Sequence, residues 1–336
     1  MQSKPLSNKA TAMTQRIVYM NGDFIPETEA RISIYDSALM FGDMVFEMTR
    51  SFNKKHFKLR EHLERLYAGL KVLRIDPGMT IEELERNCLL VAEKNEKSLN
   101  SNDEHRLMIN ISRGPLGIYA HLFDDGARPT VVIADFPLRW TVASMAPLFR
   151  TGINAVIPSQ RAIPAHLMEP KIKNRSRMWY QMANIEVANV EGENNWALLI
   201  DPDGFIAEGT GDNFFIVKDQ KIISPEGRNI LRGISRDYIF ELGGQLGLEV
   251  LEKNIEPYDV YTADEAFMTG TPFCILPTTS LNGIMIGDGV MGATTNLLLS
   301  QWSENVGLDI RAQIETYGAD YSSEGLSAPT PYQFKK

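Results

Sequence analysis

The 336-residue chain has only two cysteines, Cys88 and Cys274. They lie far apart and each sits among apolar residues, so one chain can build neither a disulfide framework nor a cysteine-based metal site, and a reducing, cytoplasmic setting fits. Five histidines, His56, His62, His105, His121 and His166, show neither the i, i+4 spacing nor the nearby carboxylates of a zincin helix. A catalytic metal is not expected. Positive charge is in deficit, 34 Lys and Arg against 43 Asp and Glu for a net charge of −9, and no basic stripe marks a nucleic-acid surface. Long hydrophobic runs are missing as well. No run of apolar residues reaches the length of a membrane span, and residues 1–15 are polar, so neither a span nor a secretory leader is expected.

What is present is the balance of a globular protein, 43% hydrophobic and 23% charged, over a length that accommodates two domains. Arg16 to Glu29 reads as a hairpin turning at Asn21-Gly22-Asp23. Leu59, Leu63, Leu66, Leu70 and Leu73 recur at spacings of three and four, which places them on one helical face. Thr80 with Glu83 forms a capping-box signature ahead of Leu84, Cys88 and Leu89, and opens a second helix. Strands are expected at 106–112 and 129–136. The organisation is therefore α+β, with a polar extension at 1–15, a small domain at 16–136, a linker at 137–151, a larger domain at 152–310 and a loosely held tail at 311–336. In the larger domain, strands are expected near 153–158, 196–200, 213–218, 221–224, 248–254 and 265–269, and helices near 176–189, 235–246 and 294–305.

Four segments could carry chemistry. In Glu169-Pro170-Lys171-Ile172-Lys173-Asn174-Arg175, a lysine at the mouth of a helix can attack a carbonyl once burial and nearby cations lower its pKa; the plainer explanation is a solvated basic turn. In Glu208-Gly209-Thr210-Gly211-Asp212-Asn213, a turn delivers one carboxylate into a run of small residues, although an exposed hairpin acid would look similar. Arg232-Gly233-Ile234-Ser235 opens a helix whose free N–H groups suit a phosphate, or Ser235 is simply a cap. Met268-Thr269-Gly270-Thr271-Pro272 ends a strand with hydroxyls and a pliable backbone.

Taken in this order, the four segments resemble the class IV aminotransferases, the fold type IV pyridoxal-phosphate enzymes that include branched-chain and D-amino acid aminotransferases. The likeness runs from about Ile17 to Val306 and includes Ala30-Arg31-Ile32-Ser33-Ile34-Tyr35-Asp36, Phe41-Gly42-Asp43-Met44-Val45-Phe46-Glu47 and Glu61-His62-Leu63-Glu64-Arg65-Leu66. It implies a two-domain fold type IV enzyme, a pyridoxal 5'-phosphate cofactor and a homodimer whose sites lie between the domains. Lys173 matches the Schiff-base lysine, with Lys171 as the alternative. Glu208 matches the acid that keeps the cofactor ring protonated. Arg65, the backbone of Ile234 and Ser235, and Thr271 match the phosphate contacts, and Leu231 the residue packed on the ring.

Departures from the family's pattern bear on the substrate. Pro272 stands where branched-chain enzymes offer a backbone N–H to the substrate carboxylate, and proline has none to give. Met48 replaces their glycine and Met178 their ring-side tyrosine. Tyr119 and His121 resemble the D-amino acid enzymes' carboxylate trap with its arginine missing, and Arg50 is the candidate for supplying that charge. Phe41, Phe46, Met48 and Met178 are expected as pocket walls. The implied reaction is ping-pong transfer from an apolar, branched-chain-like amino acid to a 2-oxo acid. Alternatives are a D-amino acid or (R)-amine transaminase, a lyase like aminodeoxychorismate lyase, disfavoured by Met48 at its threonine position, and a non-catalytic binding protein.

Overall fold

The computed structural model describes residues 15–124 and 126–323; residues 1–14 of the expected polar extension at 1–15, and the tail beyond 323, lie outside them. The opening hairpin pairs Ile17–Met20 with Asp23–Pro26. Its two turn residues, Asn21 and Gly22, both have positive φ, 53° and 112°, the tight geometry that Asn-Gly favours. These strands extend an antiparallel sheet ordered Asp23–Pro26, Ile17–Met20, Thr130–Pro137, His105–Ser112 and Met44–Met48. The leucine-striped helix, Leu59–Leu73, and the capping-box helix, Ile81–Asn95, cover one face. Thr80 Oγ accepts from the Glu83 N–H while the Glu83 carboxylate accepts from the Thr80 N–H, as expected from the sequence. Leu63, Leu66, Leu70, Leu84, Leu107, Ile109 and Ile111 are buried between helices and sheet, each stabilising the fold by about 1.5–3 kcal/mol.

Strand alternation places the remaining residues of His105–Ser112 and of the edge strand Met44–Met48 on the opposite face. Phe46 pairs with Asn110 and Met48 with Met108, so Phe46, Met48, Arg106, Met108 and Asn110 share it. The chain returns against this edge later. The Phe46 N–H donates to the Lys173 carbonyl at 2.9 Å, and the Arg175 N–H to the Met44 carbonyl at 3.1 Å. This pairing fixes Lys173 on the small sheet.

The second, nine-stranded sheet runs Ile206–Gly209, Asn195–Ile200, Ile153–Val156, Cys274–Leu281, Glu265–Gly270, Asn213–Lys218, Lys221–Pro225 and Val250–Lys253, with Ile284–Met285 appended to Cys274–Leu281. Glu208 also pairs with Asn213, which joins the first strand of that path to the sixth and closes a ring. The helices Ile234–Leu246 and Ala293–Val306 pack on it around Leu242, Leu298 and Trp302.

Two segments differ from expectation. Residues 137–151, read as an aperiodic linker, form the short helices Arg139–Val142 and Leu148–Thr151, and bury Leu138, Val142, Leu148 and Phe149. Their periodicity is too short to register over a single helical turn. Residues 311–323, part of the stretch read as a loose tail at 311–336, belong to the helix Ile310–Ser323, which packs on them through Ile310, Ile314 and Tyr317, each at most 1% exposed. The apolar residues Ile310, Ile314, Tyr317 and Tyr321 do recur at three and four, but the small and polar residues between them masked the stripe.

Candidate active site

Lys173, Arg65, Glu208, Leu231, Ile234, Ser235 and Thr271 line one cavity, together with Arg177, Tyr180, Asp212, Asn213 and Thr269. The sequence named the first seven; the structure brings them together from five separate stretches of chain. Burial pushes the Lys173 amine down to about 7, helped by the neighbouring Arg177 and Arg65 guanidinium groups and opposed by Glu47 and Glu208. A large fraction of this amine is therefore neutral at physiological pH, as a nucleophile requires. Lys171, the alternative, is committed elsewhere: its ammonium pairs with Glu169 at 2.6 Å and donates to the Arg228 carbonyl.

Glu208 is 5% exposed and accepts three hydrogen bonds, from the Tyr180 hydroxyl at 2.8 Å, the Leu231 N–H at 2.9 Å and the Asn213 amide at 3.2 Å. Burial nonetheless raises its pKa to about 7, against the lowering effect of Tyr180, Leu231 and the nearby cations. Asp212 beside it is pushed up to about 8 by burial and by Glu208. One proton on this pair relieves like-charge repulsion.

Arg65 gains its fixed position from a residue the sequence did not single out. Glu47, fully buried, accepts from Arg65 Nε at 2.6 Å and Nη2 at 2.8 Å, and from His62 Nδ1 at 2.7 Å. Burial alone would raise the Glu47 carboxyl; Arg65 and His62 outweigh it and hold the group far below the ordinary carboxylate range. Burial lowers His62 as well, so at pH 7 it is a neutral donor and Arg65 supplies the compensating charge. The i, i+3 spacing of His62 and Arg65 on one helical face was the available signal for a facing acid. Tyr180 and Asn213 carried no comparable signal, since Glu208, their shared partner, is set beside them only by the fold.

The expected substrate residues divide. Phe46 is buried beneath three cations, with Lys173 Nζ 4.9 Å, the Arg175 guanidinium 3.6 Å and the Arg177 guanidinium 5.0 Å from its ring centre. Met48 is half-buried on the same face. Phe41 and Met178, expected as walls, are instead 65% and 73% exposed and line no part of the cavity. Phe41 ends the short helix Ser37–Phe41, and Met178 begins the helix Met178–Val187, which turns Tyr180 inward in its place. Tyr119 and His121 sit on the turn Gly117–Leu122, where Tyr119 packs on Tyr35 at 4.8 Å, and neither lines the cavity. Arg50 is not available as a carboxylate reader. Its guanidinium donates to the Pro272 carbonyl at 2.9 Å and to Gln313 at 2.7 Å, and stacks 3.8 Å over Phe52. It braces the turn that carries Thr271.

This arrangement of amine, buried acid, arginine and helix start coincides with a known pattern: residues 44–281 match the family described as amino-transferase class IV. The chain belongs to the class IV aminotransferases. As a class IV aminotransferase it is a pyridoxal-phosphate-dependent transaminase of fold type IV. It is 35% identical to a putative branched-chain-amino-acid aminotransferase of Methanocaldococcus jannaschii, over 85% of this chain and 95% of that one. It is 30% identical to the branched-chain-amino-acid aminotransferase of Escherichia coli, over 83% of this chain and 89% of the other. Among solved structures, a T.th. branched-chain amino acid aminotransferase with pyridoxamine 5'-phosphate aligns at TM-score 0.77 and 28% identity, covering 91% of this chain and 98% of that one.

The cavity of this class IV aminotransferase fits the cofactor on its own chemistry. Arg65, the first turn of Ile234–Leu246 and the Thr271 hydroxyl form a positive, donor-rich end for a phosphate. Glu208 could offer an acid to a ring nitrogen and Lys173 an amine to an aldehyde. Thr269 Oγ1 and Asp212 Oδ1, buried and without partners among the described residues, line the same space. Such orphans are uncommon where no ligand is to be received.

Proposed function

We propose that this enzyme moves an amino group between a branched-chain amino acid and a 2-oxo acid in two half-reactions, with Lys173 as the amine that carries the cofactor and Glu208 as the acid beneath its ring. The observation that carries this reading is the pairing, in one cavity, of an amine lowered to about 7 with a buried carboxyl raised to about 7. The similarity to branched-chain enzymes over most of both chains supports the substrate class.

Pyridoxal phosphate, when bound, supplies an aldehyde that accepts the amino group and a ring that withdraws electrons from the substrate carbon. The chain's residues do the rest. Lys173, whose amine is lowered to about 7, would be the group that accepts a proton from the substrate's reacting carbon and gives it back. Glu208, held by Tyr180, Asn213 and the Leu231 N–H, keeps the ring nitrogen protonated. Arg65, locked by Glu47, fixes the phosphate end, so that orientation is set before reaction.

The same reading makes the enzyme a cytoplasmic homodimer. Met178, Met182 and Ile185 form an exposed stripe on one helix; Ser176 just before it donates to the Phe41 carbonyl, and Leu39, Met40 and Phe41 continue the apolar surface. Patches of this kind are expected at subunit contacts. Two buried free thiols suit a reducing compartment.

A donor panel of L-leucine, D-alanine and (R)-1-phenylethylamine against 2-oxo acids tests the substrate class. Transfer from L-leucine in preference to the other two is expected. Preference for D-alanine or the amine would replace this reading with the second one, which the loss of a backbone donor at Pro272 favours.

A further inference from the structure

Round its ring, pyridoxal phosphate carries a nitrogen, a methyl group, a phenolic oxygen, the reactive aldehyde carbon and the phosphate arm, in that order. The aldehyde is therefore flanked by the phosphate arm on one side and the phenolic oxygen on the other. Glu208 suits the nitrogen, Lys173 the aldehyde and the Arg65 end the phosphate. The phenolic oxygen needs a donor of its own.

The cavity has two walls, and Glu208 touches both. Its Oε2 accepts from the Leu231 N–H and the Asn213 amide, on the wall that continues through Arg232, whose carbonyl accepts from Arg65 at 2.7 Å, to the helix start at Ile234. Its Oε1 accepts from the Tyr180 hydroxyl on the other wall. With the phosphate on the Arg65 wall, the phenolic oxygen turns toward the Tyr180 wall, between Lys173 and Glu208. Arg177 stands there. Its guanidinium is 5.1 Å from the Tyr180 ring centre and 5.0 Å from that of Phe46, the ring that Lys173 Nζ approaches at 4.9 Å. It lines the cavity, and its charge acts on both Lys173 and Glu208.

Arg177 also has donors to give. Nε donates to the Asn174 carbonyl at 2.7 Å, whereas Nη1 and Nη2 have no hydrogen-bond partner, and the side chain no ion pair, among the described residues. The neighbouring donors are engaged: the Tyr180 hydroxyl binds Glu208, and the Asn213 amide binds Glu208 and the Leu231 carbonyl. A turn that only needed bracing at Asn174 would be served by one neutral donor. A second cation beside Lys173 repels it whenever the amine is charged, so a permanent charge at this place points to an anionic group received in the cavity.

We propose that Arg177 binds the phenolic oxygen of pyridoxal phosphate through its terminal nitrogens and holds that oxygen in its ionised form. Charge-assisted hydrogen bonds from the guanidinium fix the ring along the edge that the phosphate contacts leave free. The assignment rests on the placement of Lys173 and Glu208 proposed above.

The test compares pyridoxal 5'-phosphate with 3-deoxypyridoxal 5'-phosphate, which lacks only the phenolic oxygen, by absorbance titration of cofactor-free wild type, Arg177→Gln and Arg177→Lys. The readout is the ratio of the two affinities, because any intrinsic difference between the aldehydes cancels between wild type and variant. Wild type prefers pyridoxal phosphate, and Arg177→Gln reduces that preference by about tenfold or more. Arg177→Lys, which keeps the charge and loses the planar fork, falls between them. Gln at this position can still donate to the Asn174 carbonyl, so the turn stays braced. An arginine that merely braced the turn would weaken both aldehydes equally and leave the ratio within twofold of wild type, and that result overturns the proposal. Borohydride reduction separates the two levels of the argument. An adduct on Lys173 with an unchanged ratio refutes the role of Arg177 alone, whereas an adduct on another lysine refutes the placement beneath it as well.

Discussion

Replacing Glu47 with Gln removes the charge that holds Arg65 while keeping nearly the same shape. Glu47 is fully buried and accepts two hydrogen bonds from Arg65 and one from His62. Removing one partner of a buried ion pair typically costs about 3–5 kcal/mol, because the other charge remains uncompensated. An unfolding entropy of about 2.1 cal/mol/K per residue gives about 0.7 kcal/mol/K for a chain of this length, so a loss of about 4 kcal/mol lowers Tm by about 6 °C. The functional effect follows from the same contacts. Arg65, 12% exposed and left with the Arg232 carbonyl as its remaining anchor, holds its guanidinium less firmly at the phosphate end, and the cofactor is released faster. Differential scanning calorimetry of the apoenzyme and dialysis of the holoenzyme followed by absorbance report the two effects separately. The pH dependence also changes. Because Arg65 holds the folded-state pKa of Glu47 below its unfolded value, its stabilisation is present above about pH 4.3 and is lost as pH falls through the depressed value. Wild type should lose this increment on acidification and Glu47→Gln should have none to lose. A variant that melts within 1–2 °C of wild type and retains cofactor equally would refute the assignment of Glu47 as the anchor of Arg65.

Two further outcomes follow from the cavity's electrostatics. Glu208→Gln should lower kcat by about a hundredfold or more while cofactor affinity changes much less, because the lost carboxylate acts on the ring's electron demand and the phosphate contacts persist; kcat compared with cofactor titration checks this, and equal losses would contradict it. In cofactor-free enzyme, the rate of Lys173 acylation should follow an amine of pKa about 7, and Arg177→Gln should shift that midpoint upward, since the Arg177 charge acts in the same direction as burial. A midpoint near the free-lysine value in wild type would show that the amine is not desolvated.

The sequence was most informative where one local rule dominates. The leucine stripe at 59–73, the Thr80–Glu83 cap and the Asn21-Gly22 turn depend on neighbours within four residues, and each formed within two residues of the expected place. The strand Cys274–Leu281 was missed because it is buried in the middle of a mixed sheet and contains Pro277, so it shows no alternation. The helix Ile310–Ser323 was missed because glycine, serine and alanine dilute its apolar face. Among site residues, Lys173 and Glu208 were named from ordered motifs, and the structure brings both into one cavity. Glu47 and Tyr180 were not, because each acts through a partner on another element: Arg65 is 18 positions from Glu47 and Glu208 is 28 from Tyr180. The same limit explains Arg50, Phe41 and Met178. Their positions in the chain were suggestive, but only the fold could show that Arg50 is spent on Pro272 and that Tyr180, not Met178, turns inward.

The central claim is that one particular amine receives the cofactor. Borohydride reduction of the enzyme loaded with pyridoxal phosphate, followed by peptide mapping, tests it most directly. The account predicts a single pyridoxyl adduct on Lys173, absent in Lys173→Ala together with amino transfer; an adduct on Lys171, or a Lys173→Ala enzyme that still transfers amino groups at the wild-type rate, would contradict it.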